Sequence, residues 1–174
     1  CTEHRLACLR GDGAAALPGM ALAVRDGRTG LITDVIPYED AYTNERSVHR
    51  AVLDLVRPGD LWLADRNFCT DDYLAGIVAR GGSFLIRHHA GSMLVPLGPE
   101  SGPARLDDGS TLAEQAVRVG SLDCRCIIAR PARPLRDGTT EVRLLTDVPA
   151  DRLDAAAAAA HYRTRWRIES AFQE

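Results

Sequence analysis

Apolar and polar positions follow two different periods along the chain, and the changes between them mark out its elements. The runs 20–24 (MALAV) and 31–37 (LITDVIP) are apolar and β-branched, and Asp26-Gly27-Arg28-Thr29-Gly30 between them is turn-forming, so the pair predicts a β-hairpin. Beyond Thr43-Asn44-Glu45, residues Val48, Val52, Leu55 and Val56 fall at helical spacing until Pro58-Gly59 stops them. Residues 60–64 (DLWLA) read as a short buried strand that ends abruptly on the charged Asp65. Thr70-Asp71-Asp72 opens the next helix. The Thr hydroxyl is expected to cap free amides, and the two acids suit the positive end of the helix dipole. Tyr73, Leu74, Ile77 and Val78 give that helix an apolar face, and Gly81-Gly82 ends it. Residues 83–87 (SFLIR) predict another strand.

The stretch 90–140 differs in character, since Gly and Pro divide it into short β-like runs such as Cys126-Ile127-Ile128, with a further strand at 140–145. From about Asp154 a run of six alanines leads into HYRTRWRIESAFQE, the strongest helix signal in the chain. The predicted order is hairpin, helix, strand, helix, strand, β-rich stretch, long helix. That order fits an α/β sheet layered with helices, and the pattern alone also suits other mixed folds. It also divides the chain into a core of about 1–89 and 146–174 around a β-rich insertion of about 90–145.

Composition narrows the class. Hydrophobic residues make up 45% and charged residues 26% of 174 residues, the balance of a folded domain rather than a disordered chain. No apolar run approaches the roughly 18 to 20 residues that a membrane span needs, and a signal-peptide pattern is lacking, so the expected location is cytoplasmic. Cys1, Cys8, Cys69, Cys124 and Cys126 are odd in number and irregular in spacing, which indicates neither a disulfide framework nor a zinc site. The net charge of -3 argues against a DNA-coating domain, although a site for divalent metals needs carboxylates of its own. All 21 basic residues are arginine, which together with the alanine richness reads as nucleotide-composition bias.

Two places carry candidate chemistry. Asp65 stands at the C-terminal end of an apolar strand, where open α/β sheets collect ligands. Taken alone, it is more readily a turn-opening cap. On the last helix Tyr162, Arg165 and Glu169 are spaced by three and then four, one face over two turns, with Gln173 continuing the face and Trp166 beside it. Taken alone, Arg165 and Glu169 fit an ordinary solvated ion pair, worth a few tenths of a kcal/mol, as well as they fit a functional face. Other candidates fare worse. His88 and His89 point to opposite faces of a strand. Cys124 and Cys126 share a face but have no second pair to complete a tetrahedral metal site. Arg125, Arg130, Arg133 and Arg136 make the insertion locally basic, either for DNA or as a solvated surface beside Asp123 and Asp137. Arg66, Asn67 and Arg87 are expected near Asp65, and Trp62 and Phe84 are expected in the core.

Together the two sites resemble a known pattern. Asp65-Arg66-Asn67-Phe68 is similar to the Asp-Arg-(Gly or Asn)-(Phe or Tyr) motif of the insertion-sequence-four DDE transposases. Tyr162-x-x-Arg165-x-x-x-Glu169, with Arg-Trp-Arg-Ile-Glu inside it, resembles their Tyr-x2-Arg-x3-Glu-x6-Lys helix motif. The resemblance implies a ribonuclease H-like fold with a β-rich insertion before the last catalytic helix. It implies Asp65 and Glu169 as catalytic metal ligands, and Tyr162, Arg165 and Arg163 as contacts to DNA. It further implies two Mg²⁺ or Mn²⁺ ions about 3.5–4 Å apart, double-stranded DNA as substrate and a homodimer. The family's first Asp precedes a stretch like Thr2-Glu3-His4-Arg5, and its Lys would fall beyond Glu174. The expectation is therefore a partial catalytic domain, cut from a longer chain, that lacks the first Asp and the first strand. Two other readings stay open: an inactive remnant that at most binds DNA or a partner, and a metal-dependent nuclease of the same fold.

Overall fold

The computed structural model describes residues 20–38, 48–135 and 138–165. Residues 20–25 and 32–38 form the expected hairpin, strands β1 (Met20–Arg25) and β2 (Ile32–Tyr38). Asp26 builds its turn by accepting backbone N–H bonds from Arg28 (2.6 Å) and Thr29 (3.0 Å) through one carboxylate oxygen. Hydrogen-bonding to backbone two or three residues on is what favours Asp in turns.

Helix α1 (His49–Leu53), strand β3 (Leu61–Ala64), a short 3-10 turn (Arg66–Phe68), helix α2 (Asp71–Ala79) and strand β4 (Ser83–Arg87) follow in order. Thr70 does occupy the N-cap of α2, but its side chain makes no capping bond. Its hydroxyl lies 3.4 Å from His49 Nδ1 instead, so the tertiary partner has displaced the local one.

Strands β5 (Leu94–Pro96), β6 (Ala104–Arg105), β7 (Thr111–Val119), β8 (Leu122–Arg130) and β9 (Val142–Thr146) complete the β structure, and helix α3 (Ala155–Thr164) comes last among the described elements. The strands between 94 and 146 form no separate layer. They extend the sheet of β3 and β4 in the order β3-β4-β9-β8-β7-β5, with β6 also on β7. Among the described strands of this sheet only β3 and β4 are parallel, and every other neighbouring pair is antiparallel. The result is a mixed sheet with helices against it.

Two apolar clusters cover the two faces of this sheet. On one face Phe84, Ile86, Cys126, Ile128 and Leu145 pack against Tyr73, Leu74 and Ile77 of α2, with Trp62 and Ala64 at the margin. On the other, Leu85, Ile127 and Leu144 pack against Ala158, Ala159 and Tyr162 of α3, joined by Leu63. The alternation in each strand is the period-two pattern of a sheet buried on both sides. The alanines explain the docking of α3: with so small a side chain, Ala158 reaches zero exposure against the strands.

Candidate active site

Asp65 continues β3 in an extended conformation (φ −75°, ψ 169°) and caps the following turn, its Oδ1 accepting the Arg66 N–H at 2.6 Å. The capping role is therefore real. It occupies Oδ1 only, and Oδ2 takes no hydrogen bond among the described residues. Phe68, at the end of the turn, is buried beneath Tyr73 and His49, with ring centroids 5.3 and 5.0 Å away. Burial of that ring fixes the turn on which the Asp65 backbone depends.

Strand alternation then decides the side on which Asp65 emerges. Leu63 of β3 and Leu85 of β4 are register partners, and both belong to the cluster beneath α3. Asp65 lies two residues past Leu63, on the same face. On α3, Tyr162 is buried within that cluster, and the guanidinium carbon of Arg165 stands 5.6 Å from the centre of its ring. Burial pushes the Tyr162 phenol up to about 12, Arg165 opposes the shift, and the Asp65 charge adds to it. Asp65 and Arg165 also line one cleft, so the strand end and the end of the helix meet there. Helix α3 is set there by a capping Asp154, whose carboxylate accepts the Ala157 N–H at 2.7 Å.

Asp65, Tyr162 and Arg165 are thus brought together. Arg163 lies elsewhere: it is exposed, with its guanidinium 4.0 Å from Asp108. Glu169, Trp166 and Gln173 fall outside the described residues. His88 and His89 each serve a local turn, His88 Nε2 donating to the Ser92 carbonyl (3.1 Å) and His89 Nδ1 accepting the Gly91 N–H (2.9 Å). Cys124 and Cys126 are buried thiols, pushed up to about 12 and about 11 by burial. Arg130 pairs with Glu100 and Glu141, and Arg125 with Glu114. These two arginines are therefore committed within the protein.

Arg125 has a role that the sequence did not reveal. Its Nη1 donates to the carbonyls of Val148 (2.7 Å) and Leu153 (2.8 Å), on the segment that leads into α3. Glu114 of β7 holds the same guanidinium at 2.6 and 2.9 Å. The long β hairpin thereby grips the base of the helix that bears Tyr162. Its one sign in the sequence is a cation set directly between Cys124 and Cys126, ahead of the apolar Ile127-Ile128.

A cleft of about 510 Å³ opens beside these groups, lined by Leu22–Arg25 of β1, Leu61–Ala64 of β3, Asp65, Asp34, Thr164 and Arg165. Among the described residues, no three His, Cys, Asp or Glu side chains gather as a metal cluster. Asp65 nonetheless fits a hard divalent cation as one ligand, because it is a carboxylate with an oxygen to spare at the rim of a cleft.

With this geometry in hand, comparison with protein families is decisive. A family model described as a transposase DDE domain matches residues 11–174, nearly the whole chain. The chain belongs to the DDE transposase family. The mixed sheet and flanking helices of this DDE transposase are the ribonuclease H-like architecture such domains share, and transposase DDE domains generally use divalent metal ions. A search of curated proteins gave no match. Among the described residues of the transposase, no helix is long and apolar enough to cross a membrane.

Proposed function

We propose that this DDE transposase is of the insertion-sequence-four type and moves DNA in the cytoplasm by metal-dependent phosphodiester hydrolysis followed by strand transfer. The observation that carries the reading is the meeting of Asp65, at the end of β3, with Tyr162 and Arg165 on α3. A carboxylate beside a guanidinium and a buried phenol suits a site that must hold both a metal ion and a phosphodiester.

In this reading the catalytic core, about 1–89 and 146–174, carries the chemistry, and the β-rich stretch 90–145 braces it. Asp65 and Glu169 hold the metal through hard oxygen donors. Two Mg²⁺ or Mn²⁺ ions, when bound, supply Lewis-acid charge to the attacking and leaving oxygens. Arg165 grips a phosphate by a charge-assisted fork, and Tyr162 sets the position of that fork. Arg163 contacts DNA from the outer side of the helix. Water is the first nucleophile and the freed 3′-hydroxyl the second. Two copies acting as a homodimer pair two ends of double-stranded DNA.

The test, made in the complete transposase, is Mg²⁺- or Mn²⁺-dependent nicking of supercoiled DNA, followed by joining of the cut end to a target. Asp65→Asn and Glu169→Gln are each expected to lower cleavage by about two orders of magnitude or more, the scale on which charge-stabilising groups act. Cleavage retained in either variant contradicts the assignment of that residue. Cleavage without joining points to a nuclease.

A further inference from the structure

We propose that Arg87, at the C-terminal end of β4 beside Asp65 at the end of β3, is a second phosphate-gripping arginine of this site. The inference rests on the functional reading above and adds a residue to it.

Three observations carry it. First, β3 and β4 run parallel with Ala64 opposite Ile86, so Asp65 and Arg87 are the next residues in the same register. The two strands thus deliver a carboxylate and a guanidinium side by side. Second, Arg87 lies two residues past Leu85 and opposite Leu144 of β9, and both leucines belong to the cluster beneath α3. Alternation places Arg87 on the α3 face, as it does Asp65. Its charge indeed reaches the buried Tyr162 hydroxyl, as do the charges of Asp65 and Arg165. Third, the guanidinium of Arg87 takes no hydrogen bond or ion pair among the described residues, although the residue is half-buried. Arg125, Arg130 and Arg143 of the same sheet are all tied to carboxylates. A partly desolvated arginine without a bound anion retains its five donors, and a phosphate oxygen pair matches their planar fork.

The arrangement also makes chemical sense around a metal-binding carboxylate. A cation that does not neutralise Asp65 by direct pairing leaves that carboxylate available as a ligand. Arg87 and Arg165 together offset the charge of a phosphodiester brought up to it.

The experiment measures binding of a short mixed-sequence DNA duplex to the chain by fluorescence anisotropy. It is run over a salt series in the presence of EDTA, with a thermal melt of each variant. Arg87→Gln is expected to weaken binding several-fold and to reduce the slope of log K against log salt by about 0.9, the release expected for one lost phosphate contact. Arg87→Lys is expected to keep the slope, since it keeps the charge. Arg165→Gln should behave as Arg87→Gln does, and Asp65→Asn should tighten binding by removing a repulsive charge. If Arg165→Gln and Asp65→Asn shift binding while Arg87→Gln leaves slope and affinity unchanged, Arg87 is not a phosphate contact and the inference fails alone. If none of the three changes binding, the functional reading of the site fails with it. A lowered melting temperature for Arg87→Gln that Arg87→Lys restores, with the salt slope unmoved in both, would assign Arg87 a structural role and overturn the proposal.

Discussion

Arginine is the only strong base in this chain, and its copies divide sharply by what they touch. Arg118 and Asp123 face each other across β7 and β8, both half-exposed, so their pair is screened by water and contributes little. Arg125 is mostly buried and bonds one carboxylate and two carbonyls. Arg125→Met is therefore expected to destabilise the fold by about 2–4 kcal/mol, because it strands Glu114 and two carbonyls without donors. Arg118→Ala should cost less than about 1 kcal/mol. Urea unfolding of the two variants checks both, and equal effects would contradict this role for Arg125. At this scale the sequence was partly legible. Asp65 stood out because an apolar strand ran straight into a charge, and Asp26 was readable as a turn former. Arg125 was not legible, since its carbonyl partners lie more than twenty residues away in sequence. The side-chain cap expected of Thr70 fails for a similar reason, since His49, distant in sequence, takes the hydroxyl.

Among the elements, β4 does most to build the site, because it carries the fold's only parallel pairing among the described strands and ends beside Asp65. The turn that leaves it is closed by His88, whose Nε2 donates to the Ser92 carbonyl. Burial holds the His88 imidazole below its ordinary 6.5, partly opposed by that hydrogen bond. The sign follows from the direction. Folding favours the neutral ring, so its contribution is fully present above pH 6.5 and is lost as pH falls through the lower folded value. Denaturant midpoints measured on either side of pH 6.5 should fall on the acid side, and His88→Gln should flatten that fall. An unchanged acid slope in the variant would show that His88 does not titrate in this way. Element types were legible wherever one period ran unbroken, as in 83–87 and the alanine helix. The nine-residue strands β7 and β8 were not, and read instead as short runs. Their polar interruptions, Glu114, Arg118, Asp123 and Arg125, are cross-strand ion partners, which a linear pattern does not distinguish from loop residues.

At the largest scale, the seven-stranded sheet among the described residues carries helices on both faces, and the chemistry gathers where the parallel strand ends meet α3. The β-rich segment contributes stability to that junction: β9 lies between β4 and β8, and Arg125 ties the hairpin to the base of α3. No local pattern in the sequence announces this convergence, because Asp65 and Tyr162 are far apart along the chain. Their association was legible only through the resemblance of two motifs to one family, and the family match over residues 11–174 supports that reading at the level of the DDE transposase domain. The proposed site depends above all on Asp65 as a metal ligand. The most direct measurement is the quenching of the free Mn²⁺ electron paramagnetic resonance signal as the protein is titrated in, for the wild type and for Asp65→Asn. The wild type is expected to bind Mn²⁺ saturably and to release it to Mg²⁺. The variant should lose more affinity than the roughly 10- to 100-fold that loss of an outer-shell partner costs. Equal Mn²⁺ binding by both proteins would contradict the assignment of Asp65 and, with it, the proposed site.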